Sequence, residues 1–135
     1  MGDASARDSA NPEVELPRGE AIRCTAAGAE ISTFVVQTTR GFTGRGPTRT
    51  RTFVSDALVT VVMEDVLSKG ERSLVREGRE DDVQRIRHAV HDVLKPVWSA
   101  AVEQIVGRPV VAFLSAQHAE PDITIVNFVL GRPAR

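Results

Sequence analysis

The stretch from Glu80 to Val106 constrains this chain more than any other. Its apolar residues are Val83, Ile86, Val90, Val93, Leu94, Val97, Ala101 and Ile105. They recur at steps of mostly three or four, which places them on one side of a helix. Gly78 precedes the stretch, and Gly107 follows it at the position where a glycine ends a helix. At about 1.5 Å per residue the helix is roughly 40 Å long, enough to cross the face of a small sheet. Pro96 lies inside it and removes one amide. The apolar spacing continues past Pro96, so the expectation is a kink rather than a break.

The rest of the chain has to pack on this helix. Ala29 to Arg40 shows a helical pattern, with Ile31, Phe34, Val35 and Thr38 on one face. Gly44-Arg45-Gly46-Pro47 ends it: both glycines permit positive φ, and Pro47 lacks a donor. Thr48–Val54 alternates and Leu58–Met63 is almost continuously apolar, a strand pair joined by a tight turn at Ser55-Asp56. Ser68 and Glu71 have the spacing of a capping box, which predicts a short helix from Lys69 to about Glu77. Val110–Leu114 and Ile123–Leu130 read as a second hairpin around a loop at 116–122. The fold class is therefore α+β. We expect a four-stranded antiparallel sheet of two hairpins, with helices packed on one face and one long kinked helix among them.

With 135 residues, one domain is the natural size. The expected organisation is a flexible N-terminal tail at 1–27, a single domain at 28–131 and a short C-terminal tail at 132–135. The first twenty residues hold no apolar core of the kind a secretory signal needs. The longest apolar runs fall far short of the ~20 residues of a membrane helix, so direct membrane insertion is not expected. Cys24 is the single cysteine, which excludes an intrachain disulfide and fits a reducing, cytoplasmic setting. Net charge is −1, which gives no global pull towards nucleic acid.

Local charge says more. Arg40, Arg45, Arg49 and Arg51 occur with no acid between Glu30 and Asp56. Glycine-rich backbone at Gly44 and Gly46 can offer amides to an anion, and Arg45, Arg49 and Arg51 can add fork-shaped contacts. Gly44, Arg45, Gly46, Arg49 and Arg51 are thus the candidate ligand-binding residues. The competing structural reading is a solvated edge strand whose charges keep it from pairing with other chains. The Lys-Ser/Thr ending of a P-loop is missing, and Phe42 and Phe53 are the only rings nearby for base stacking.

Other polar clusters are weaker. His88 and His91 lie one turn apart but lack a third metal ligand, so they read as a polar helix face and no metal or cofactor is expected. His118, Glu120 and Asp122 read as residues of the second hairpin loop, bent at Pro121. No nucleophile elbow is present, and an enzyme has no positive support.

In its ordered landmarks the chain resembles the MpsC-like family, named for a sodium-translocating, membrane-potential-generating system. The matching residues are Gly44-Arg45-Gly46-Pro47, Val54-Ser55-Asp56, and Val66-Leu67-Ser68 with Glu71. They continue with Leu94-Lys95-Pro96, Val106-Gly107-Arg108-Pro109-Val110, Glu120-Pro121-Asp122 and Phe128-Val129-Leu130. The likeness spans about Gly28 to Leu130, and departs where Lys95 stands in place of an arginine before the proline. It implies a non-catalytic accessory or regulatory module of a membrane ion or bicarbonate transport system. Such a module would act by binding a partner protein of that system or a small anion. The alternative is a nucleic-acid-binding protein using the Arg40–Arg51 basic segment. The apolar residues of Ile123–Leu130 exceed what one helix layer covers, so a homodimer is expected.

Overall fold

The computed structural model describes residues 25–133. The expected flexible N-terminal segment and Cys24 lie outside the described residues. Seven elements follow in order: α1 (Ala26–Thr43), β1 (Arg49–Val54), β2 (Leu58–Glu64), α2 (Lys69–Arg76), α3 (Glu80–Val106), β3 (Val110–His118) and β4 (Ile123–Leu130). The helix α1 begins at Ala26, two residues ahead of the expected domain boundary, because the Thr25 side chain caps it by accepting from the Gly28 amide. It ends at Gly44, whose φ of 83° only glycine adopts without strain. Gly46 is not in that region of φ.

The strands form one antiparallel sheet in the order β1-β2-β4-β3. The two hairpins join through β2 and β4, with Leu58 opposite Val129 and Glu64 opposite Ile123. The second hairpin is longer than its sequence pattern predicts. β3 continues through Ser115, Ala116 and Gln117 to His118, paired residue by residue with β4, and only 119–122 turn. A bulge at Val111 shifts the register, since Val110 faces Leu130 while Ala112 faces Val129.

The inner face of the sheet carries Thr52, Val59, Val61, Met63, Thr124, Val126 and Phe128, all buried. α1 and α3 cover this face. Gly28 lets α1 approach β1 closely, because a Cβ there would stand 3.0 Å from the Thr52 carbonyl oxygen. Ser32 Oγ and Thr52 Oγ1 share a hydrogen bond of 2.6 Å at the same contact.

The helix α3 has the expected span but presents a different face. Val83, Arg87, His91, Leu94, Trp98 and Val102 are its buried residues, whereas Ile86, Val93 and Val97 are exposed. At 100° per residue the buried stripe is turned by roughly 70° from the stripe that apolar spacing marks out. Trp98 explains the turn. It is the largest fully buried side chain, it packs near Phe113, and its Nε1 donates to Thr38 Oγ1 of α1 at 2.7 Å. Pro96 does not break the helix. It sits on the exposed side, where water can reach the carbonyl it leaves without a partner.

Candidate functional site

The short helix α2 starts as its capping box dictates: Ser68 Oγ accepts from the Glu71 amide and Glu71 Oε1 accepts from the Ser68 amide. That reciprocal bond turns the Glu71 carboxylate inward, towards α3. There it meets Arg87, which the wheel of α3 buries; the two residues are 8% and 4% exposed. Arg87 Nη1 lies 3.6 Å from Glu71 Oε1. Among the described residues, Arg87 Nε and Glu71 Oε2 have no hydrogen-bond partner. A buried orphan of this kind costs about 1–3 kcal/mol.

Both groups line a cavity of about 330 Å³ enclosed by the end of α1, the start of α2 and the first half of α3. Phe42, Val66, Ile86 and Val90 make its apolar walls, and Arg45 makes a third charged position. Arg45 is fixed there by its Nε, which donates to the Asp65 carbonyl at 3.3 Å. Asp65 itself has a φ of 61°, the single non-glycine residue with positive φ among those described. Its carboxylate accepts from Thr48 Oγ1 at 2.6 Å and faces Arg72 at 3.5 Å.

The arginine segment is divided by the fold. Arg45 lines the cavity just described. Arg40 and Arg49 line a separate groove between α1 and β1. Arg51 stands on the outer sheet face, 3.5 Å from Glu64 and over the Phe53 ring at 5.9 Å. The acids missing from the segment itself, Glu64 and Asp65, are thus supplied by the far end of β2. Gly44 caps α1, and Gly46 lies against the Arg40 guanidinium, where a Cβ would stand 3.1 Å from Nε and Nη2.

The histidines separate as well. His88 is exposed, whereas His91 is buried, so the pair does not form one polar face. His91 Nδ1 shares a hydrogen bond of 2.9 Å with Ser115 Oγ, and its ring lies 5.9 Å from that of Trp98. Burial, reinforced by the positive charge of Arg87, pushes its pKa down to about 4. Asp122 is structural: it accepts from the Leu67 amide at 2.9 Å and from Gln117 Nε2 at 3.1 Å, tying the second hairpin to the start of α2. His118 Nδ1 meets the Pro121 carbonyl at 2.8 Å, and Glu120 is exposed. Among the described residues no group of three or more His, Cys, Asp or Glu could hold a metal ion.

The outer face of the sheet is covered by no helix. Leu58, Leu114 and Ile125 are exposed on it, with Phe53, Val62, Ile123 and Val129 half-buried between them. Thr60 and Asn127 bond across its centre at 2.8 Å. At one end Ala116, His118, Pro121, Ile123 and Ile125 line a recess of about 400 Å³.

Fold and surfaces together define a small α+β module with one open apolar sheet face and one charged cavity between its helices. Residues 26–132 match the family described as Na+-translocating membrane potential-generating system (MpsC), and the chain belongs to that family. Neither the curated proteins nor the solved structures gave a match. Among the described residues no helix is long and apolar enough to cross a membrane.

Proposed function

We propose that this chain is a non-catalytic, cytoplasmic accessory or regulatory module of a Na+-translocating, membrane-potential-generating system. It acts by contact with other proteins of that system and with a small anion. The family supports the system; the open sheet face carries the contact. Apolar side chains lie across all four strands of that face, and a helix covers the opposite face only. Burying such a face against protein is favourable at about 25 cal/mol per Å² of apolar surface. A second copy of the chain is the first occupant proposed, because a flat patch that matches itself suits a two-fold contact.

Sedimentation of the full chain at micromolar concentration, beside a Leu114→Asp/Ile125→Asp variant, tests this reading. A wild-type dimer that the variant converts to monomer assigns the face to a second copy. A wild-type monomer that binds purified transport-system protein, with binding lost in the variant, assigns it to that partner. Monomers with equal partner binding in both proteins refute the sheet-face contact. Within this reading Arg45 serves as the anion contact of the arginine segment, since it is the member of that segment that faces the charged cavity.

A further inference from the structure

The cavity between α1, α2 and α3 differs from the sheet face in holding buried charge. Arg87 and Glu71 sit in its wall, and at 3.6 Å their contact is longer than a hydrogen bond. Glu71 spends Oε1 on the Ser68 amide, leaving Oε2 as an acceptor without a donor. Arg87 keeps Nε as a donor without an acceptor. The pair is neutral as a pair, and Arg45 adds one positive charge. Phe42 and Ile86, 49% and 43% exposed, stand as hydrocarbon at the cavity wall.

Each of these features selects a property of a ligand. One net positive charge selects a monoanion, and guanidinium donors favour a planar carboxylate. The orphan Glu71 oxygen selects a hydroxyl beside that carboxylate. The walls select an apolar body and disfavour a compact mineral anion, which needs a complete polar shell. Liquid water occupies about 30 Å³ per molecule, so the cavity holds ~10 heavy atoms.

We propose that this cavity binds a small hydroxymonocarboxylate with an apolar body. Its carboxylate accepts from Arg87 and Arg45, its hydroxyl donates to Glu71 Oε2, and its body covers Phe42, Ile86 and Val90. The inference rests on the reading of Arg45 as an anion contact and is independent of the sheet face.

Mandelate and phenylacetate, which differ by one hydroxyl, test it on the full chain by calorimetry and thermal unfolding, with sodium chloride at matched ionic strength. Mandelate is expected to bind with Kd below about 1 mM and to raise Tm. Phenylacetate is expected to bind about tenfold or more weakly, because it leaves Glu71 unpaired. Arg45→Gln should weaken mandelate by about tenfold while leaving the ligand-free Tm unchanged. Replacing Arg87 alone strands a buried carboxylate, so the paired variant Arg87→Met/Glu71→Gln, which removes both charges, is the folding-safe control and should abolish binding. Binding that survives in both variants, or no binding of mandelate at about 10 mM, overturns the site. Because dimer or partner binding is read separately by sedimentation, failure here leaves the sheet-face contact standing.

Discussion

His91 shows how one buried side chain sets a pH dependence. Its neutral ring is held between Ser115, Trp98 and Arg87, and its pKa falls from 6.5 to about 4. The unfolded chain therefore binds more protons at this site between those two values, so stability rises with pH across that window. Read downwards, stability is fully present above pH 6.5 and is lost progressively towards pH 4. Between pH 7 and pH 5 this one group should remove about 2 kcal/mol, from 1.36 kcal/mol per unit. Urea unfolding of wild type and His91→Gln at both values checks it, since the other titrating groups contribute alike to both proteins. An equal pH response in the two would refute the assignment. Gly44 and Gly46 make a second residue-scale contrast. Gly44→Ala places a Cβ at φ 83° and should destabilise by about 1–2 kcal/mol. Gly46→Ala meets only the movable end of Arg40, and should stay within about 0.5 kcal/mol. Unfolding midpoints in urea decide between them.

Among the elements, α2 is the one whose start is set by a single pair. Ser68→Ala removes an N-cap and releases Glu71, and should lower stability by about 1 kcal/mol in urea unfolding. A shift in midpoint below the error of the measurement would mean that the cap is dispensable. The ends of α3 and the capping box were legible because they depend on local chemistry: glycine at 107, and serine and glutamate three apart. The buried side of α3 was not legible. Apolar spacing selects Ile86, Val93 and Val97, yet the sheet takes Arg87, His91 and Trp98. Hydropathy cannot mark an arginine as a core residue, because what keeps it there is Glu71 on another helix. The length of β3 was hidden for a related reason. Gln117 and His118 look like loop residues until their pairing with Thr124 and Ile123 is in view. Of the candidate site, Arg45 was legible from the charge of its own segment. Its cavity partners were not, since Glu71 and Arg87 come together only through the packing of α2 on α3.

At the scale of the whole molecule, covered and uncovered faces of one sheet divide the labour. Substitutions on the uncovered face should alter association and leave folding alone. Leu114→Asp and Ile125→Asp are each expected to change the unfolding free energy by no more than about 0.5 kcal/mol. Trp98→Ala, on the covered side, should cost about 3–5 kcal/mol. A cooperative loss of stability in Leu114→Asp would show that the outer face belongs to the core of the single chain. The strand order carries one more consequence. β4 lies between β2 and β3, yet it is the last of the seven elements along the chain. During synthesis the first hairpin and all three helices emerge before the strand that joins the two halves. Until Ile123–Leu130 clears the ribosome, β2 shows a bare inner edge with Val59, Val61 and Met63 beside it. The nascent chain is therefore a natural client for chaperones that shield unpaired strands. Ribosome-stalled chains ending before Ile123 should stay protease-sensitive, and those with Leu130 outside the exit tunnel should become resistant in a single step.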